Sequence, residues 1–190
     1  KAKVYLWDEK YDKAAEYARK AIDTFGGAPV NAAQWEDEKS GFNTANQAWM
    51  WYVNYSGESM RNLANFTGWM SAEADWGYSS LTKPGIDRSL YDKIANTDFR
   101  KNTFVHPDKF SFHNYKTSRD AQFITDAPAY LGLKFRCKAG DWETYSIGGA
   151  VDVPVMRVEE MYLIEAEAVG MSAGIGAGLA KLNSFMQSYR

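Results

Sequence analysis

The 190-residue sequence has one cysteine, Cys137, and two histidines, His106 and His113. A single cysteine excludes an internal disulfide framework and any structural zinc site built from several thiolates. Two histidines without a His-Glu-x-x-His stretch leave zinc to be completed by carboxylates at no recognisable spacing, so no metal ligands are assigned. No catalytic residue or cofactor is assigned either. No apolar run approaches the roughly 20 residues of a membrane-spanning helix. A basic block is also missing. The 22 Lys and Arg are interspersed with 24 Asp and Glu, for a net charge of −2, so nucleic acid is not expected as a partner.

What is present suits a packed globular chain of about one domain, with 45% hydrophobic and 24% charged residues. Cys137 lies on an alternating segment and reads as a small core residue. The opening KAKVYLW reads as helix interior without a start signal. The chain is therefore expected to be a piece of a longer protein, and whether a signal peptide or lipid anchor precedes it stays undecided.

Residues 1–27 read as a helix pair. In DEKYDKAAEYARKAIDTFGG, residues Tyr11, Ala14, Ala15, Ala18, Ile22 and Phe25 step by three and four and form one helical stripe. Gly26-Gly27 supplies the left-handed cap. Residues 154–190 read as a second pair. Val158–Val169 is apolar around much of its circumference and is expected to be buried. A linker, GMSAGIGAG, then leads to a helix striped by Leu179, Leu182, Phe185 and Met186.

Between these pairs, residues 28–153 are irregular and punctuated by Gly and Pro. Ser89–Ala95 reads as a short helix with Leu90, Tyr91 and Ile94 on its stripe. Leu131, Leu133, Phe135 and Cys137 alternate with Gly132, Lys134 and Arg136, a strand signal of period two. Long loops held by a rigid scaffold tend to carry function.

The aromatic stretch at 49–78, WMWYVNYSGESMRNLANFTGWMSAEADWGY, holds four of the seven tryptophans. WMWYV alternates without turn residues, so Trp49, Trp51 and Tyr52 are expected to pack. Trp69, Trp76 and Tyr78 each lie beside glycine or a small polar residue, as at a loop tip. Sugar recognition needs a flat apolar face for C–H groups and polar side chains for the hydroxyls around it. Trp69, Trp76 and Tyr78 offer the first. Arg61, Asn65 and Asp75, with Ser71 and Glu73, offer the second. The alternative is that these aromatics are buried to hold the loop down.

Two carboxylate arrangements invite a catalytic reading. Glu160 and Glu167 lie on the apolar helix, where an ion pair with Arg157 and helix-end capping are the simpler account. Asp141 and Glu143 flank Trp142, but carboxylates two residues apart are common by chance. The glycosylation-like triplets at Asn54 and Asn65 are also treated as chance.

The stretch Asp152–Ala168, DVPVMRVEEMYLIEAEA, resembles the late signature of the SusD/RagB family of outer-membrane nutrient-binding lipoproteins. Asp152, Pro154, Arg157, Glu160, Leu163, Ala166, Glu167 and Ala168 meet its positions. Glu159 stands where a small residue is usual and reads as surface variation. Upstream, AKVYLWDEKYDKAAEYARKAI is similar to a tetratricopeptide repeat, with Ala2, Tyr5, Tyr11, Ala14 and Ala21 at its small and aromatic positions. The Gly/aromatic-rich loop follows. Leu90, Asp98 and Arg100 then fit the family's block of a short helix and an Asp-x-Arg.

The resemblance implies a mainly α fold of tetratricopeptide-like helix pairs, with a long irregular loop region and a few short strands, in one partial domain spanning 1–190. It implies no chemistry. The expected function is cell-surface binding of an oligo- or polysaccharide, with the protein lipid-anchored at the outer membrane of a Gram-negative bacterium. The glycan would pass to a TonB-dependent, SusC-like transporter. A tetratricopeptide-type module that binds a peptide or protein is the main alternative, and a glycoside hydrolase domain is a third.

Overall fold

A computed structural model describes residues 1–58, 65–76, 84–108, 117–119 and 121–190. In chain order its elements are α1 (Ala2–Trp7), α2 (Tyr11–Phe25), α3 (Ala32–Glu36), β1 (Trp49–Val53), α4 (Phe66–Trp69), α5 (Arg88–Tyr91), α6 (Ala121–Asp126), α7 (Tyr145–Gly148), β2 (Val153–Arg157), α8 (Val158–Ala173) and α9 (Ile175–Tyr189). The described residues also include the 3-10 turns Phe99–Thr103 and Lys138–Gly140. The fold is mainly helical, with short strands, as expected. It divides into two compact units. One comprises Lys1–Asn31, Asn46–Tyr52 and Pro154–Arg190, the other Ala32–Ala45 and Val53–Val153.

The first unit holds both helix pairs. α1 packs on α2, α2 on α8, and α8 on α9. The predicted stripe of α2 is the buried one. Ala14 and Ala18 are fully buried and Ile22 nearly so, because small side chains let a neighbouring helix come close. Gly26 ends α2 in the left-handed conformation, φ +74°. Tyr5 of α1 stacks on Tyr17 of α2 with ring centroids 5.3 Å apart. Strands β1 and β2 form a two-stranded sheet.

Three expectations for this unit change. The segment GMSAGIGAG is not a linker, because α8 runs to Ala173 and α9 begins at Ile175. Gly174 alone makes the turn, at φ +98° and ψ 152°, a conformation that side-chain-bearing residues rarely adopt. Glu159 is not at the surface but 3% exposed. It accepts from the Val30 backbone N–H at 3.4 Å, and Arg157 and Arg190 approach its carboxylate at 3.9 and 3.8 Å. Its burial is thus offset by charge and a hydrogen bond. Of WMWYV, Trp49 packs (4% exposed), whereas Trp51 and Tyr52 are 62% and 42% exposed. The segment is a strand, and only its first residue is held in the core.

Charge pairing in this unit follows the helices. Glu160 accepts from Lys3 at 2.6 Å. Glu165, 4% exposed, takes Arg19 and Lys181, with Arg19 Nε at 3.1 Å and Lys181 Nζ at 2.9 Å. Burial alone would raise the Glu165 carboxyl, but these two cations together hold it below its ordinary value.

In the second unit a core of Ala72, Val105, Ala127, Leu131 and Leu133 forms, with Phe123 and Ile124 against it. Leu131–Cys137 buries the expected residues Leu131, Leu133 and Cys137. It does not form a strand. It makes two isolated bridges, Gly85 to Leu131 and Phe104 to Gly132. Arg136 breaks the expected alternation by turning inward, 3% exposed, to meet a buried carboxylate. The short helix is Arg88–Tyr91, capped by Asp87, whose side chain accepts from the Ser89 N–H. Tyr91 is its buried residue, and Leu90 is 55% exposed.

Candidate aromatic binding site

The site is built in the second unit from α4, the loop 70–76 and the segment around α7. Asn65 starts it. This residue is 1% exposed. Its side-chain oxygen caps α4 by accepting from Gly68 N at 3.1 Å, and its amide donates to the Val151 carbonyl at 2.6 Å. Asn65 was expected to present its amide to a ligand. Both ends of that amide are used inside the protein, so it is a scaffold residue.

The cap sets Trp69 at the end of α4. The Trp69 indole N–H donates to the Tyr145 hydroxyl at 2.9 Å, and the rings meet edge-to-face at 89°. Trp76 meets the same ring at 76°, with centroids 5.8 Å apart. Both indoles are half-buried, with part of each surface open. Trp76 also lies on Gly148. A Cβ added there would stand 2.6 Å from Trp76 Cη2 and 1.6 Å from the Asp141 carbonyl oxygen. Glycine at 148 is therefore a requirement of close approach.

A third indole joins them. The Asp75 backbone N–H donates to the Trp142 carbonyl at 3.0 Å, tying the loop end to Trp142. The Arg119 guanidinium lies 4.1 Å from the centre of the Trp142 ring and 5.2 Å from that of Phe123. Arg119 Nη1 also donates to Asp75 Oδ1 at 2.7 Å and to the Glu73 carbonyl at 2.9 Å. Asp75 is exposed, with 53% of its side chain open to solvent.

Beneath lies a buried polar knot. Glu73 and Arg136 pair at 3.1 Å with side chains 0% and 2% exposed. Thr117 Oγ1 donates to the same carboxylate oxygen at 2.6 Å. Burial pushes the Glu73 carboxyl up against the opposing pull of Arg136 and Thr117. Ser71 is equally buried, with its hydroxyl 3.2 Å from Cys137 Sγ. Ser71 and Glu73 therefore stay within the protein and do not line its surface. Burial raises the Cys137 thiol to about 12.

Of the six expected ligand residues, the structure brings Trp69, Trp76 and Asp75 together and buries Asn65. Arg61 and Tyr78 lie outside the described residues. It adds Trp142, Tyr145 and Arg119, which stand 43 or more positions away from Trp76 in sequence. No local periodicity links them to the loop. The available signal was the Asp141-Trp142-Glu143 triplet, an aromatic flanked by acids. Asp141 Oδ1 accepts from the backbone N–H groups of Glu143 and Thr144 at 3.2 and 2.8 Å. It thus serves as a turn cap, which removes the basis for pairing it with Glu143 as acid and base.

No group of three or more His, Cys, Asp or Glu among the described residues is placed to hold a metal ion. The described helices include none long and apolar enough to cross a membrane.

No protein-family model matches the sequence, and no curated protein matches it. Two solved structures share its fold. One is a SusD-like carbohydrate binding protein from Bacteroides vulgatus, at 20% identity and a TM-score of 0.70, covering 98% of this chain and 35% of its own. The other is a SusD superfamily protein from Bacteroides thetaiotaomicron, at 16% identity and a TM-score of 0.64, covering 98% of this chain and 39% of its own. The chain spans well under half the length of either, and at these identities the likeness is one of fold.

Proposed function

We propose that this SusD-like fold carries a non-catalytic glycan-binding surface on the aromatic platform of Trp69, Trp76 and Trp142, with Asp75 and Arg119 as its polar edge. The observation that carries the reading is the arrangement itself. Three indoles, two of them locked by one tyrosine, stand half-open beside an exposed carboxylate and a guanidinium. Indole faces take the C–H side of a sugar ring, and charged groups at the edge hydrogen-bond its hydroxyls. The carbohydrate-binding description of the Bacteroides vulgatus structure agrees with this.

As part of a SusD/RagB-type lipoprotein, the surface would face outward from the outer membrane. It would pass a bound oligo- or polysaccharide to a TonB-dependent, SusC-like transporter. Affinity is expected in the weak to moderate range, because an open platform leaves much of the sugar in water. Tyr78 and Arg61 belong to the proposed site by sequence.

Affinity electrophoresis against a polysaccharide panel tests the reading. Retardation by at least one glycan, reduced in Trp69→Ala and Trp76→Ala, is expected. Retardation unchanged in both variants would move the site elsewhere.

The helix pairs favour a second reading at one point. Trp7 is 81% exposed and Ile175 78%, so a peptide-binding helix face is the alternative. A peptide array that captures the protein while every glycan fails would select it.

A further inference from the structure

Phe66 is a large aromatic side chain that the fold leaves uncovered, at 68% exposure. It is the first residue of α4, and Trp69 is the last. Residues three apart on a helix are surface neighbours, with Cβ atoms about 5–6 Å apart. A single exposed apolar residue is ordinary on a protein surface. This one adjoins an indole that already belongs to a row of rings.

The side on which Phe66 stands follows from the helix. Each residue turns by about 100°, so Phe66 and Gly68 lie on nearly opposite sides of α4, and Phe66 and Trp69 on adjacent ones. Gly68 is on the inward side. A Cβ there would stand 2.4 Å from the carbonyl oxygen of Gly149, the residue that ends α7. Tyr145 is the first residue of α7. Trp69 donates to its hydroxyl, and Trp76 lies on its ring. Tyr145 and Trp76 thus meet Trp69 from the α7 side of α4, and Phe66 flanks it on the open side.

The backbone that carries Phe66 is held in place without a ligand. Asn65, immediately before it, accepts from Gly68 N and donates to the Val151 carbonyl. The Phe side chain itself turns about only two torsions. Ordering the ring on a ligand therefore costs little entropy.

We infer that Phe66 is a further stacking position of the glycan surface, and that the ligand is a linear chain of several sugar units laid along Trp76, Trp69 and Phe66 rather than a single sugar. This rests on the glycan-binding reading above. Each ring face takes the C–H side of one sugar unit. Once one unit is stacked, its linkage holds the next at high effective concentration beside the next ring. Phe66 has no side-chain hydrogen-bonding group. It therefore reads the length of the chain and not the pattern of its hydroxyls, which is left to the polar edge.

The test begins with affinity electrophoresis in gels of starch, xylan, galactomannan and laminarin. Titration calorimetry follows, with two-unit and six-unit fragments of the polymer that retards the protein most. Wild type should bind the six-unit fragment more tightly. Phe66→Ala should lower six-unit affinity at least about threefold, with two-unit affinity changed by less than about twofold. Its thermal midpoint should match the parent's, because the side chain is exposed. Phe66→Tyr keeps a flat ring and should bind as wild type does. Phe66→Leu keeps apolar bulk without a flat face and should bind as weakly as Phe66→Ala.

Six-unit affinity that is equal in wild type and Phe66→Ala overturns the inference, and the platform itself stands if Trp69→Ala still weakens binding. Wild-type affinity in Phe66→Leu overturns stacking as the cause. Should Phe66→Ala fail to fold, the comparison of Phe66→Tyr with Phe66→Leu decides the same point. If none of the four polymers retards the wild-type protein, the glycan reading fails and this inference falls with it.

Discussion

The Trp69 indole N–H donates to the Tyr145 hydroxyl at 2.9 Å, and Trp76 lies edge-to-face on the same tyrosine ring. One residue of α7 thus orients two indoles supplied by a different part of the chain. Tyr145→Phe keeps the ring contacts and removes one hydrogen bond. It is expected to cost about 1 kcal/mol of stability. Tyr145→Ala removes both ring contacts and should cost more. Urea unfolding measures the two, and an equal loss in both would contradict this role for the ring.

Gly148 is where the platform tolerates no side chain. A Cβ there would stand 1.6 Å from the Asp141 carbonyl oxygen and 2.6 Å from Trp76. Gly148→Ala is expected to destabilise by roughly 1–3 kcal/mol or more, as overpacking does. It should also displace Trp76. Calorimetric unfolding with tryptophan emission would show a lower midpoint and a changed indole environment. A variant that unfolds like the parent would contradict the packing.

Glu165 ties α8 to Arg19 of α2 and Lys181 of α9, and its pKa is lowered from the ordinary 4.5. A lowered folded-state pKa stabilises above the unfolded value and loses that contribution as pH falls through the folded one. Glu165→Gln should therefore be less stable than the parent at neutral pH, with the gap closing below about pH 4.5. Denaturation series at several pH values test this. A gap that widens on acidification would reverse the sign.

Cys137 is buried beside Ser71, and burial holds its thiol up at about 12. The thiolate is the reactive form. Native protein should therefore resist thiol-specific reagents at neutral pH and react fully once unfolded. Rapid labelling of the folded protein would contradict the buried environment.

Much of the scaffold was legible. The stripe of α2 and its glycine cap follow from a period of 3.6 and a left-handed turn, both local properties. The signature around Asp152 also proved to have a physical role. Its buried carboxylate gathers Ala45 N, Asn54 Nδ2 and Lys138 Nζ at 2.9–3.0 Å. What stayed hidden depends on distant partners. Asn65 looked like a ligand group because its cap and its Val151 contact are invisible in a loop read alone. Glu73 looked like a surface acid because its cation, Arg136, lies far along the chain, and Glu159 because its contact with the Val30 N–H comes from a distant segment. The helix turn at Gly174 was obscured by small residues that serve equally as linker or helix. Trp142, Tyr145 and Arg119 reach Trp69 and Trp76 only through the fold of the second unit, and no spacing announces them.

Titration calorimetry with the glycan that best retards the protein, comparing wild type with the double variant Trp76→Ala/Trp142→Ala, tests the central claim most directly. The account predicts measurable heat for wild type and a fall in affinity of at least about tenfold for the folded variant, as loss of aromatic anchors brings. Equal affinity in the two proteins would contradict it.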